Sequence, residues 1–367
     1  MTLAGVLRAD APMVSLLSRG IEAGSLCYKV RQQAYIRRQT KRDVDERRGR
    51  FYDSVWRDAA QAVGWSVTNL APDLMEIRSG RRFLRVRKNS TSLDDAITET
   101  IAADRPAVYK LLRERGIPVP SHVVCAAGDW TKAWSFVRAA AWPCVVKPAR
   151  GSAGGVGITT GVRTRGRLAR AMAMAGSHCS EIVIEQQIAG HVYRLLFFDG
   201  EFLDAVLRRP PVVKGNGTST VRELIDAENR HRIDGGIHAS QSLVKIDWEM
   251  RNTLADQGFG LHYVPASGSL VRLKNVVNDN RREDNVAVAA SMCAEVIQAA
   301  AAAAEAVGAR LAGVDIMTPD PGVPLHAAGG VVIEVNTSPG HYYHYLREGE
   351  SVLVATIILE RLAAAET

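Results

Sequence analysis

The spacing of apolar residues changes period many times along this chain, and each change predicts an element. Phe51, Val55, Ala59, Ala60 and Val63 recur at helical spacing, and Gly64 stops them. Shorter runs at 65–67, 74–77 and 83–86 read as strands, with Gly80 in the turn between the last two. A helical block from Leu93 to Arg115 ends at Gly116, with Pro118 and Pro120 beyond it. A strand (His122–Cys125), a helix (Asp129–Ala140) and an unbroken apolar strand (Cys144–Lys147) follow. After a glycine-rich stretch come a further strand, a helix at Arg165–Ala175 and the strand Ile182–Glu185. Tyr193–Phe198 and Glu201–Leu207 predict a hairpin turning at Asp199-Gly200. Thr218–Asn229 predicts a helix, residues 234–267 show little periodicity, and a long helix is expected over Asp284–Val307. Two β-branched runs, Gly313–Met317 and Val331–Val335, precede a closing helix over Gly349–Ala365. Helices and strands interleaved in this way predict an α/β (α+β) fold.

Those two β-branched runs are also where chemistry concentrates. Period-2 alternation sends Glu334 and Asn336 to one face and Val335 to the other, and Asp315 on the neighbouring strand can come level with them. Two carboxylates and an amide oxygen are hard ligands of the kind Mg²⁺ takes alongside substrate phosphates. Taken alone, each carboxylate is equally well a solvated strand residue.

The stretch 149–157 offers a second clue. Gly151, Gly154, Gly155 and Gly157, with Ser152 among them, let successive backbone N–H groups approach an anion. No Gly-Lys-Ser/Thr ends it and a strand, not a helix, follows, so it is neither a Walker A loop nor a dinucleotide fingerprint. A glycine-rich hairpin remains the plainer reading until Lys147 is added. That lysine ends an apolar strand just before the loop and can reach nucleotide phosphates.

Composition narrows the field. The 367 residues suit two or three subdomains, and 47% hydrophobic with 23% charged residues is ordinary for a globular enzyme. No apolar run is long enough for a bilayer, and no basic-then-apolar leader pattern opens the chain, so a cytoplasmic location is expected. The five cysteines are dispersed, without zinc spacing, and read as reduced thiols. Much of the net charge of +7 sits between Arg31 and Arg50. That cluster, Arg48 included, could meet an acidic substrate or nucleic acid, but Asp43, Asp45 and Glu46 are interleaved there, which favours a solvated helix face.

Lys147, the glycine loop, Glu185-Gln186-Gln187-Ile188 and the Asp315/Glu334/Asn336 set occur in an order that resembles the ATP-grasp superfamily, over about 98–346. Within it the likeness is greatest to the ATP-grasp portion of cyanophycin synthetases. Glu334 to Gly340 is also similar to the D-alanine–D-alanine ligase motif. Shared elements include Ala103-Asp104-Arg105, Gly116 to Pro120, Gly190 to Arg194, Arg209-Pro210 with Gly215-Asn216-Gly217, and Gly313-Val314-Asp315.

The resemblance implies an ATP-grasp fold with nucleotide between two α+β subdomains, 98–189 and 190–367, behind a small α/β domain at 1–97. It implies ATP held by Arg105, Lys147, the glycine loop and the 185–188 hinge. Two Mg²⁺, with Mn²⁺ able to substitute, would lie on Asp315, Glu334 and Asn336. Arg194, Lys274 and Asn278 would steady the transferring phosphoryl, while Arg209, Ser338, Gly340 and His341 would meet substrate. The implied activity is a ligase that joins a small-molecule carboxylate to an amine through an acyl phosphate. Alternatives are modification of a peptide or protein, or nucleotide binding without catalysis. Family habit also allows a homodimer.

The sequence departs from the family in places. Arg105 stands for a usual lysine, Val192 for an acidic residue, and Gly313 for an arginine of D-alanine–D-alanine ligases. Asp279 to Glu283 replaces a small-residue loop, so the substrate side is expected to be rebuilt. No Mur-ligase-like half is present, so cyanophycin-type polymerisation is not expected.

Overall fold

The computed structural model describes residues 16–25, 27, 41–139, 143–151, 153–235, 242–347 and 349–364. Ser152 and the 31–40 part of the basic cluster lie outside the described residues.

A helical segment at 16–25 is followed by α1 (Lys41–Ala62), whose apolar stripe is long because its residues recur every three or four positions. Phe51, Tyr52, Trp56, Ala59 and Ala60 are almost wholly buried against an antiparallel meander. The meander runs β1 (Ser66–Ala71), β2 (Leu74–Ser79), β3 (Arg82–Arg87) and β4 (Ser90–Thr91) in order. The same core takes in Leu196 and Phe198 from mid-chain and Ile358 and Leu359 from near the C-terminus. Burying a side chain the size of Tyr52 or Trp56 contributes on the order of 2–3 kcal/mol, so this core ties the first unit to the last.

The helical block expected over 93–115 is two helices, α2 (Ala96–Ala102) and α3 (Arg105–Glu114). Asp104 breaks it by accepting from the Ala107 N–H at 3.0 Å, and Pro106 sits in the first turn, where its missing N–H costs nothing. Next comes an antiparallel sheet of β5 (His122–Ala126), β6 (Cys144–Pro148), β7 (Thr159–Val162) and β8 (Glu181–Gln186), ordered β5-β8-β6-β7. Helices α4 (Trp130–Ala139) and α5 (Arg165–Gly176) cover one face, burying Cys144, Val146, Ile182 and Ile184. Alternation therefore turns Val145, Lys147, Val183 and Glu185 to the opposite face.

The second large sheet contains β9 (His191–Phe198), β10 (Glu201–Arg208), β13 (Asn285–Ala287), β14 (Leu311–Thr318) and β15 (Val331–Thr337), ordered β13-β10-β9-β14-β15. The β9–β10 turn has positive φ at Asp199 (49°) and Gly200 (80°), as a tight hairpin of this hand requires. A small sheet of β11 (Val212–Lys214) and β12 (Leu270–Arg272) packs with α6 (Val221–Asp234) and α7 (Trp248–Asp256) around its own core. The weakly periodic 234–267 region thus carries one real helix.

The long helix expected from Asp284 is a correction. Residues 285–287 form the edge strand β13, paired with β10 through Val206↔Ala287 and Leu207↔Val286. The helix, α8 (Ala294–Val307), starts ten residues later than expected at its N-terminus. Pairing with a preformed hairpin outweighs local helix propensity there. The chain ends in α9 (Leu325–Ala328), α10 (Tyr342–Tyr345) and α11 (Val354–Ala364).

Candidate active site

The two large sheets face each other across a cleft of about 1170 Å³. Nine basic and six acidic side chains line it, so its field suits an anion.

Its C-terminal wall is a row across three strands. Asp315 of β14 lies opposite Arg194 of β9 on one side and Glu334 of β15 on the other, and Asn336 lies opposite Gly313. A bulge between Asp315 and Ile316 leaves Ile333 unpaired, so Val332 and Val335 both turn to the core while Glu334 and Asn336 face the cleft. Arg194 grips Asp315 with two bonds, Nε to Oδ1 at 2.7 Å and Nη2 to Oδ2 at 2.6 Å. Burial alone would lower the Arg194 pKa, but the Asp315 carboxylate overrides it and the guanidinium stays charged. Arg105 Nη2 donates to Glu334 Oε1 at 3.0 Å. Asn336 Nδ2 donates to the Gly313 carbonyl at 3.1 Å. Gly313 is needed for approach: a Cβ there would lie 2.7 Å from Pro339 Cβ and 3.4 Å from Arg194 Cδ.

The opposing wall is Lys147 and Glu185, both under 10% exposed and ion-paired. Tyr109 Oη donates to Glu185 Oε2 at 3.0 Å and approaches the Ile333 carbonyl at 3.2 Å, linking the two walls. Burial, reinforced by the Glu185 charge, holds the Tyr109 hydroxyl well above its usual pKa, so it remains a donor. Gln187 accepts from the Gly161 N–H at 2.7 Å through Oε1. The glycine loop closes the top. Gly154 and Gly155 have φ of 70° and 76°, and Asn278 Nδ2 donates to the Gly154 carbonyl.

At the far end Ser338 has φ of 47°, a left-handed conformation that costs a non-glycine residue on the order of 1 kcal/mol. The first unit steadies it. Asn89 Nδ2 donates to the Ser338 carbonyl at 2.5 Å, and the Thr91 N–H donates to Ser338 Oγ at 3.4 Å.

The family model "D-ala D-ala ligase C-terminus" matches residues 111–196. The cyanophycin synthetase of Geminocystis herdmanii is 28% identical over 287 residues, covering 78% of this chain and 33% of that protein. The glutathione biosynthesis bifunctional protein GshAB of Streptococcus mutans is 29% identical over 281 residues, covering 75% of this chain and 37% of that protein. This chain therefore spans about a third of the length of the curated relatives it matches. A bifunctional glutathione synthetase from Pasteurella multocida shares the fold, with a TM-score of 0.54 at 24% identity over 84% of this chain and 44% of that one. The chain has the ATP-grasp fold.

In this ATP-grasp cleft most of the residues singled out from sequence come together. Arg105, Lys147, Gly154, Gly155, Glu185, Gln187, Ile188, Arg194, Arg209, Asn278, Asp315, Glu334, Asn336, Ser338 and Gly340 all line it. Gly151, Gly157 and Gln186 do not. Gly157 packs instead where a Cβ would meet His178 Cδ2 at 2.6 Å.

Two expectations need correcting. Lys274 is fully buried away from the cleft, with Nζ 2.5 Å from Asp247 and 2.7 Å from Asp279. Burial would lower its pKa, yet the two carboxylates raise it, so its charge is spent holding 247 to 279. His341 is also fully buried, its ring 5.8 Å from Tyr52 and 5.5 Å from Trp56. Burial pushes its pKa down to about 3, and neither ring nitrogen has a hydrogen-bond partner among the described residues. It is a neutral core residue and is not among the side chains that line the cleft.

Sequence reasoning missed Arg208, Arg48, Asn89 and Tyr343, all of which line the cleft. Arg208 is the buried partner of the exposed Arg209; it donates to Tyr343 Oη at 2.8 Å and stands 3.7 Å from Asp315. A signal existed. Val206 pairs with Arg194, so counting two further puts Arg208, not Arg209, on Arg194's face. Arg48 carries only the mark of the basic cluster read as a solvated face, and nothing marks Asn89; both come from the first unit.

Proposed function

We propose that this chain is an ATP-dependent carboxylate–amine ligase. The observation that carries the reading is the Arg194–Asp315–Glu334 row facing the Lys147–Glu185 pair across one basic cleft under a glycine loop. Support comes from the fold and from relatives named cyanophycin synthetase and glutathione biosynthesis bifunctional protein.

Lys147 and Arg105 are placed for ATP phosphate oxygens, Glu185 and the 187–188 backbone for the adenine edge, and the 151–157 loop for the phosphates from above. The oxygens of Asp315, Glu334 and Asn336 are adjacent on one face, and such a donor set fits Mg²⁺, or Mn²⁺ in its place. We propose two ions. When bound, they neutralise phosphate charge and polarise the γ-phosphoryl group. Arg194 and Arg208, which stand beside Asp315, would meet the oxygens of the transferring phosphoryl.

A substrate carboxylate oxygen attacks the γ-phosphorus, the bond to the β–γ bridging oxygen breaks, and ADP leaves. The acyl phosphate so formed is attacked by an amine nitrogen. The tetrahedral species, its oxyanion met by arginine N–H groups, expels inorganic phosphate, and the nitrogen loses a proton. Closure of the glycine loop on Asn278 keeps water from the acyl phosphate. Residues 98–189 and 190–367 act as the two jaws, and 1–97 completes the acceptor end. The substrates are small carboxylates and amines of amino-acid or peptide type. No helix among the described residues is long and apolar enough to cross a membrane.

Purified protein with ATP, Mg²⁺ and pairs of amino acids should release phosphate together with a product lighter than the pair by one water. Phosphate release without any condensed mass, across all pairs, would overturn the reading.

A further inference from the structure

Arg48 is a cleft arginine that the chemistry above does not use. Arg48 belongs to α1, far from the strands that carry the phosphate-facing groups, and lines the cleft beside Asn89, Ser338, Tyr342 and Tyr343. Its Nη2 donates to Asn89 Oδ1 at 3.0 Å, and Asn89 in turn holds the Ser338 carbonyl. Its guanidinium carbon is 5.9 Å from the Tyr52 ring centre. Among the described residues the groups that act on its charge are the hydroxyls of Tyr52, Tyr342 and Tyr343 and no carboxylate, and its Nε is buried without a hydrogen-bond partner. Across Tyr343 lies Arg208, stacked 4.3 Å from that ring, over nine-tenths buried, its Nε also without a partner.

Arg194 and Arg208 both lie over the Tyr343 ring and share one carboxylate, Asp315, which Arg194 grips with both oxygens, whereas Arg48 has no such partner among the described residues. A half-buried guanidinium with an unused N–H is costly unless something anionic meets it. Planar N–H pairs are matched by a carboxylate. The candidate phosphate-facing groups stand on strands of the two large sheets, while Arg48 comes from α1 and is tied to the Asn336–Gly340 turn through Asn89.

We propose that Arg48 receives a carboxylate on the amine substrate, so that the acceptor is an amino acid or peptide with a free carboxylate and not a simple amine. This rests on the ligase reading above. Arg48 sets acceptor specificity; it does not touch the transferring phosphoryl. Asn89 orients the guanidinium and couples it to the Ser338 turn.

The test compares wild-type protein, R48Q, R48K and N89A. Each protein is given ATP, Mg²⁺ and the product-forming amino-acid pair, then the amine that lacks the acceptor's carboxylate. R48Q should raise the acceptor KM about 10- to 100-fold, leaving KM for ATP and for the donor acid within about threefold. R48K should recover part of the loss, and the decarboxylated amine should be poor with wild-type protein and no poorer with R48Q. An unchanged acceptor KM in R48Q, or a simple amine used as well as the amino acid, overturns the proposal.

If no pair condenses, the ligase reading has failed on its own. The Arg48 site is then read without turnover, as the thermal shift of the AMPPNP·Mg²⁺-loaded protein with each amino acid and its decarboxylated amine. A shift given by an amino acid but not its amine, and lost in R48Q and N89A while AMPPNP still stabilises both variants, supports the site. Equal shifts from both, shifts that survive R48Q, or no shift from any amino acid overturn it.

Discussion

The two ends of the cleft are built differently. The proposed nucleotide end is made of neighbouring strands: Lys147 and Glu185 lie on adjacent β6 and β8, and Asp315 and Glu334 face each other on β14 and β15. The proposed acceptor end joins segments 249 residues apart, where Asn89 meets Ser338, and carries Arg48 from a helix of the first unit. Strand alternation declares the first kind of site, because each side chain's face follows from its own strand. Only packing assembles the second, because the core that seats α1 against α11 decides which turn of α1 reaches the cleft.

The largest effect that tests this contrast lies at the nucleotide end. Glu334→Gln keeps the shape but removes a charge from the ligand row, and should cut phosphate release by about a thousandfold with little change in thermal stability. A variant within a factor of a few of wild type would show that the row is not the reacting end.

Lys274→Met addresses a residue expected to be catalytic that packs instead. It leaves Asp247 and Asp279 facing each other without their cation and should cost about 3–5 kcal/mol of stability in urea unfolding. Lost turnover in a protein that unfolds at the wild-type midpoint would return Lys274 to the chemistry.

His341 gives a pH signature of the core beneath the acceptor end. Its folded pKa, about 3, lies below the value near 6.5 expected when unfolded, so the unfolded state binds the extra proton first. Stability from this group is therefore full above about pH 6.5 and declines as pH falls toward 3, by about 1.4 kcal/mol per pH unit. His341→Leu should flatten that acid slope, measured as unfolding free energy between pH 7 and pH 4. An unchanged slope would place the titration elsewhere, with His344 the next candidate because burial lowers it too.

The smallest effect concerns the lid. Asn278→Ala removes the bond to the Gly154 carbonyl, worth about 1 kcal/mol. ATP affinity should weaken about fivefold, and a larger share of phosphate should appear without amide product as water reaches the acyl phosphate. Unaltered coupling would mean that the loop is held by other contacts.

Much of the fold was legible in the chain because its elements are short and sharply punctuated. Gly64, Gly116 and the Asp199-Gly200 turn mark boundaries that the structure keeps. The helix that should have begun at Asp284 was not, since 285–287 becomes a strand only when β10 is there to pair with it. The division between Arg208 and Arg209 was available from alternation, had the register been carried across from Arg194.

By itself the sequence determined the strands, the glycine loop, and the carboxylates and lysine that share a face, since local periodicity and turn chemistry act within a few residues. Tertiary structure alone decided that Lys274 and His341 are buried, that Arg194 clasps Asp315, and that Arg48 and Asn89 reach the Ser338 turn. Those outcomes depend on which distant surfaces exclude water together, and no period in the chain encodes that.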